Sequence, residues 1–183
     1  MRLRRRRRAD VQISARDLTL AALYVAGEVD YRRRLHCVVY WIVEEAEVAL
    51  RNPFCGCRPE WRLGPTGIAL YRYGPYSFAV ADALEALKAE GLVEEEPAAA
   101  YAPCLGAAVK VYKLRLTERG REAARQTAAN LPEELTREIK RILRLRLCDL
   151  CGPVMKIYKD LDRPPDDELA PRTLPNTSGF IGM

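Results

Sequence analysis

Six cysteines stand at Cys37, Cys55, Cys57, Cys104, Cys148 and Cys151, and four of them are paired in short motifs. Thiolates are soft ligands, and four of them close a tetrahedral zinc site when two short loops supply two each. Cys148-x2-Cys151 has the spacing such sites prefer, whereas Cys55-Gly56-Cys57 does not. A structural zinc on Cys55, Cys57, Cys148 and Cys151 is therefore an alternative, and disulfide formation is favoured over it. Asn and Gln are confined to Asn52, Asn130, Asn176, Gln12 and Gln126. That depletion is thermophile-like, and hyperthermophiles are the recognised exception to reduced intracellular thiols. A hot-environment archaeal origin is the corresponding hypothesis. Cys37 and Cys104 read as small hydrophobes.

Acid-base catalysis finds little to work with. His36 is the single histidine and lies beside the apolar stripe of a helical segment, the place of a structural histidine. Glu44, Glu45 and Glu47 cluster on one amphipathic helix, which reads as a solvated face. There is no Walker sequence, no GxGxxG after a strand and no HExxH. The expectation is a non-enzymatic protein without a cofactor.

Basic residues are the remaining chemistry. Arg2, Arg4, Arg5, Arg6, Arg7 and Arg8 form an N-terminal run without an interspersed acid, and taking those six from the net charge of +5 leaves residues 9–183 at −1. A near-neutral body thus carries a basic arm suited to phosphate. Further basic residues lie at Arg32, Arg33 and Arg34 and late in the segment 131–147. Those internal clusters also suit a salt-bridged helix surface.

The elements that would position these groups follow from periodicity. Leu18, Ala21, Ala22 and Val25 predict a first helix over 14–26, and Leu35, Val38, Val39, Ile42, Val43 and Ala46 a second over 31–50. Cys37, Tyr40 and Trp41 carry the apolar character of that second helix almost around its circumference. It is expected to be central to the fold or covered by a second subunit of a homodimer. Residues 51–66 contain three prolines and two glycines and read as a loop. A strand follows to residue 73, stopped by Gly74-Pro75. Ser77 caps a helix whose Val80, Ala83, Leu84 and Leu87 face inward, and Gly91 ends it. Strands at 92–95 and 109–116 form a hairpin across an uncharged linker. Thr117 caps a helix to about residue 129, and Pro132 opens another running to 147, with Leu131, Leu135, Ile139 and Ile142 inward. Val154 to Leu161 is a short closing helix.

YGPYS, an apolar helix closed by GLV and an acidic run, then YKLRLTERGREAA resembles the winged-helix family that includes Panacea-type antitoxin domains and related archaeal and bacterial proteins. The resemblance covers roughly residues 15–160. It implies an α+β fold, a winged helix with a small antiparallel hairpin, a long central helix and extra C-terminal helices, serving DNA or protein binding. The expected division is a flexible arm 1–10, a domain 11–160 and a proline-rich flexible tail 161–183.

The winged-helix recognition element would be the helix at 77–90. Its outward positions are Phe78, Ala79, Asp82, Glu85, Ala86 and Ala89, and its single cation is Lys88. Base reading calls for Arg, Asn, Gln or Lys, so Phe78, Ala79, Asp82 and Glu85 are expected to meet protein. Nucleic acid, DNA first, falls to the arm and to Arg32, Arg33 and Arg34. The expectation is a nucleic-acid-binding regulator, with a protein-binding adaptor or a small RNA- or ribosome-associated factor as alternatives. No apolar run approaches the roughly 18 residues of a membrane span. The basic N-terminus leads into Ala9-Asp10-Val11-Gln12 without the apolar core of a secretory leader. A cytoplasmic protein without a membrane partner is expected.

Overall fold

The computed structural model describes residues 11–51, 61–71, 74–102, 107–146, 150 and 172–173. The chain is mixed α+β. Its elements run β1 (Val11–Ile13), α1 (Ala15–Ala26), β2 (Glu28–Val29), α2 (Arg32–Arg51), β3 (Trp61–Leu63), β4 (Ile68–Tyr71), β5 (Gly74–Ser77), α3 (Phe78–Ala89), β6 (Val93–Ala102), β7 (Ala107–Leu116), α4 (Glu118–Asn130), α5 (Glu133–Arg144) and β8 (Arg172–Thr173). The strands form three small sheets: β1 parallel to β3, an antiparallel β2-β7-β6, and an antiparallel β5-β4-β8.

Local chemistry fixes most helix ends. Ser14 and Asp17 make a reciprocal capping box at α1, and the Gly27 N–H returns to the Leu23 carbonyl at 2.9 Å with φ +73°. At the end of α3 the Leu92 N–H reaches the Leu87 carbonyl and the Gly91 N–H the Lys88 carbonyl, both at 2.9 Å. That pair of bonds is a Schellman motif, and φ +69° at Gly91 is the left-handed turn it requires. Thr117 caps α4 by accepting from the Gly120 N–H at 3.0 Å.

The core is shared by α1, α2, α3 and α5. Val80, Leu84 and Leu87 are buried on α3, and Leu135, Ile139 and Ile142 on α5. The helix around which the others pack is α1, which meets α4, α3 and α5, whereas α2 lies mainly against β5 and α5. This corrects the expectation that the second helix is the centre. Ala21 and Ala22 are buried with Leu18, Leu20 and Leu23 on the shorter helix, and small side chains let neighbours approach it from several directions. The extra apolar positions of α2 are covered within the chain. Cys37 and Tyr40 are buried, and the Trp41 Nε1–H donates to the Leu150 carbonyl at 3.1 Å.

Five further expectations change. The stretch 51–66 contains a strand, β3, because Trp61 is buried with its Nε1–H on Glu134 at 2.6 Å and its backbone pairs with β1. Gly74-Pro75 does not stop the sheet. It opens β5, which returns along β4 with Tyr71 opposite Gly74, and Pro75 is tolerated because β5 is an edge strand. The hairpin strands are ten residues each, from Val93↔Leu116 to Ala102↔Ala107, so most of the uncharged linker is strand. Alanine has little intrinsic preference for strand, and the continuous cross-strand pairing overrides it. The segment taken as a flexible tail returns at Arg172–Thr173 to pair with β4. Helix α5 closes at Leu145, short of residue 147. The arm 1–10, the loop cysteines and the closing helix 154–161 lie outside the described residues.

Candidate nucleic-acid and protein contact surfaces

Helix α3 presents Phe78, 43% exposed, together with the exposed Asp82 and Glu85. Ala79, expected on the same outward face, is half-buried and packs against the core. It sits one residue before Val80 in the first turn, where the Ser77 cap draws the helix onto Thr66. The Ala79 N–H lies 3.4 Å from the Thr66 carbonyl, and the Ser77 hydroxyl donates to that same carbonyl at 2.5 Å.

The one cation of α3 is committed. Lys88 Nζ donates to Glu95 at 2.7 Å and to both Glu85 oxygens at 3.2 Å. Arg32 closes the network: its guanidinium forks onto Glu95, stands 3.3 Å from Glu85, and lies over the Tyr112 ring at 5.6 Å. Glu95 is the hub. Its side chain is 8% exposed, and its hydrogen bonds from Arg32, then from Lys88, hold the carboxyl below its ordinary pKa. Sequence reading passed over Glu95 inside the run Glu94-Glu95-Glu96. The available signal was the two-residue alternation of a strand, which turns Glu94 and Glu96 to solvent and Glu95 inward.

The three arginines expected to meet phosphate are divided by the fold. Arg32 belongs to the Glu95 network. Arg34 reaches across to the end of α5, where its Nη2 donates to the Leu143 carbonyl at 2.8 Å and to the Leu145 carbonyl. It therefore satisfies carbonyls that a helix C-terminus leaves open. Arg33 is exposed. On the three-stranded sheet, Lys113 pairs with Glu28 at 2.6 Å and Asp30 at 3.7 Å, and Arg115 pairs with Glu28 and Glu96. Arg16 forks onto Glu90 at 2.6 Å, tying α1 to the end of α3. Arg16, Arg32, Lys113 and Arg115 are thus ion-paired, and Arg34 is held by helix-end carbonyls.

His36 holds the entry to α3. Its Nδ1 accepts from the Ser77 N–H at 3.1 Å, and its ring stacks on Tyr76 at 4.4 Å and 24°, while Tyr76 meets Phe78 edge-on at 5.2 Å. Burial pushes the imidazole down from 6.5 to about 4, and the bond from Ser77, which only an unprotonated Nδ1 accepts, favours the same neutral form. The neutral ring is required to accept that bond. Between those two values the unfolded chain binds a proton that the native chain does not, so stability is level above 6.5 and falls as pH drops toward 4. The expected slope is about 1.4 kcal/mol per pH unit. Urea unfolding at pH 7, 6 and 5 should show this slope in the native chain and not in His36→Gln, whose amide oxygen can still accept. Equal slopes would refute the assignment.

Cys37 is buried in the core. Cys55, Cys57, Cys148 and Cys151 lie outside the described residues, and among those described no group of three His, Cys, Asp or Glu side chains could hold a metal ion. Among the described residues no helix is long and apolar enough to cross a membrane. No family model, curated protein or solved structure matches the chain.

Proposed function

We propose that this chain is a non-enzymatic winged-helix regulator that associates with nucleic acid, DNA foremost, through its arginine arm. The order α1, α2, α3 and then a hairpin, with β2 as the third strand of the hairpin's sheet, supports the winged-helix reading. The strands β3, β4 and β5 between α2 and α3 depart from a compact helix-turn-helix, which allows only three or four residues there. One observation carries the functional reading. The surface of α3 that would face a groove shows Asp82 and Glu85, and its sole lysine is already held by Glu85 and Glu95. Phosphate contact then falls to the six arginines preceding β1. Such an arm follows backbone or enters a minor groove and reads sequence poorly. The test is duplex and structured-RNA binding by the full chain and by a chain lacking residues 1–8. Preference for the RNA would favour the RNA-associated alternative.

The exposed Phe78 beside Asp82 and Glu85 supports the second reading, a protein-binding adaptor that uses this face of α3. Absence of nucleic-acid binding by both chains would favour it.

A further inference from the structure

Between the end of α1, β2, the start of α2 and the last turns of α5 lies an open cleft of about 480 Å³. That is the size range of small-molecule sites. Val25, Ala26 and Leu143 give it apolar walls, and Arg34, Lys140 and Arg144 give it three cations. Glu28 also borders it, but that carboxylate is engaged from the β7 side by Lys113 and Arg115.

The cations of α5 divide into two kinds. Arg137 pairs with Glu133 one turn back, and Arg141 pairs with Glu138 and with Glu45 of α2. Lys140 and Arg144 are exposed, face the cleft, and have no ion-pair partner among the described residues. They stand at i and i+4, so they are neighbours on one helix face, where two like charges destabilise the helix by a few tenths of a kcal/mol, roughly 0.2–0.5. The helix dipole favours cations at this end, yet Arg34 already donates to the Leu143 and Leu145 carbonyls. The buried Arg34 Nε has no hydrogen-bond partner among the described residues, which leaves an unmatched donor on a residue of the wall. Two adjacent cations without ion-pair partners among the described residues, in a mostly polar cleft edged by Val25, Ala26 and Leu143, suit a ligand with a compact double negative charge and a partly polar body.

We infer that this cleft binds a phosphate monoester of roughly nucleotide size, with Lys140 and Arg144 on the phosphate and Val25, Ala26 and Leu143 against the body. A monoester carries about −1.5 to −2 charges at pH 7, enough to neutralise both side chains, where a carboxylate would neutralise one. The inference does not depend on the nucleic-acid reading.

The experiment titrates adenosine 5′-monophosphate, inorganic phosphate and adenosine into the full chain, followed by calorimetry and by the methyl resonances of Val25 and Leu143. The monophosphate should bind saturably and shift both methyls. Adenosine should bind at least tenfold more weakly, and inorganic phosphate should compete. The double variant Lys140→Gln, Arg144→Gln should lose at least tenfold in affinity with an unchanged or slightly higher Tm. Arg121→Gln, an exposed cation on α4 outside the cleft, should bind as the native chain does. A chain lacking residues 1–8 should retain the site. Three results would overturn the inference: no saturable binding of either phosphate probe, equal affinity for adenosine and its monophosphate, or binding that survives the double variant and disappears with the arm.

Discussion

Raising salt from about 50 to 200 mM is expected to cost the full chain about a thousandfold in duplex affinity, and to leave a chain lacking residues 1–8 almost unaffected. The magnitude follows from counting charges. Six arginines lie within residues 2–8, and the remaining chain sums to −1. If each meets one phosphate and releases its condensed counterion, log affinity falls against log salt with a slope of about −5. Lys88, Arg32, Lys113, Arg115 and Arg16 all have carboxylate partners and cannot replace that slope, which leaves the pair Lys140 and Arg144 as the small contribution of the folded body. Lys88→Ala should therefore change affinity little. Two unrelated duplexes should bind alike, since flexible arginines on a backbone carry little sequence information. A strong preference between the duplexes that persists after truncation would return base reading to α3 and refute the arm as the principal contact.

What was legible in the sequence was local. The Ser77 cap, the Gly91 turn, the inward face Val80, Leu84, Leu87 and the strand at 109–116 each rest on residues a few positions apart, and each appears in the fold. What was not legible joins distant segments. Nothing near Val11–Ile13 announces its parallel partner Trp61–Leu63, and nothing near Arg172–Thr173 announces β4. The alanine-rich halves of β6 and β7 have weak strand preference alone and become strand through each other. The nearly all-round apolar character of α2 suggested a centre, whereas centrality went to the helix whose small side chains admit close neighbours.

The candidate surfaces divide in the same way. That α3 carries one lysine among carboxylates is plain from its sequence, and the acidic outward face follows. That the lysine is immobilised by Glu95 depends on the packing of α3 against β6. Arg32, Arg33 and Arg34 are consecutive, so composition treats them as one cluster. A helix turns about 100° per residue, which sends Arg32 to the Glu95 network and Arg34 to the end of α5, 109 residues along the chain. That Lys140 and Arg144 have no ion-pair partner among the described residues is visible only once the acids that neutralise Arg137 and Arg141 are known.

Gly120→Ala is expected to destabilise the fold by about 2 kcal/mol, although the same change in an exposed helix would be stabilising. Gly120 lies in the first turn of α4 and is buried, so two effects compete. Alanine improves helix propensity over glycine by about 1 kcal/mol. Against this, a Cβ at position 120 would lie 1.8 Å from the Leu92 carbonyl oxygen and 2.8 Å from its carbon. Both are backbone atoms and cannot rotate away. The Leu92 carbonyl also accepts from the Thr117 N–H at 3.0 Å, and the Thr117 hydroxyl donates to the Gly91 carbonyl at 2.8 Å. Relieving the clash therefore means lifting α4 from the start of β6 and straining its own cap. Overpacking of this kind typically costs about 1–3 kcal/mol, and an unyielding backbone partner places it at the upper end. The propensity gain offsets about 1 kcal/mol of this, and with about 2–4 °C per kcal/mol for a chain of this length, Tm should fall by roughly 4–8 °C. Gly120→Ser should behave in the same way, since it adds the same Cβ. A Tm unchanged or raised by either substitution would mean that α4 does not approach Leu92 this closely, and the anchoring of the hairpin's base on α4 would have to be redrawn.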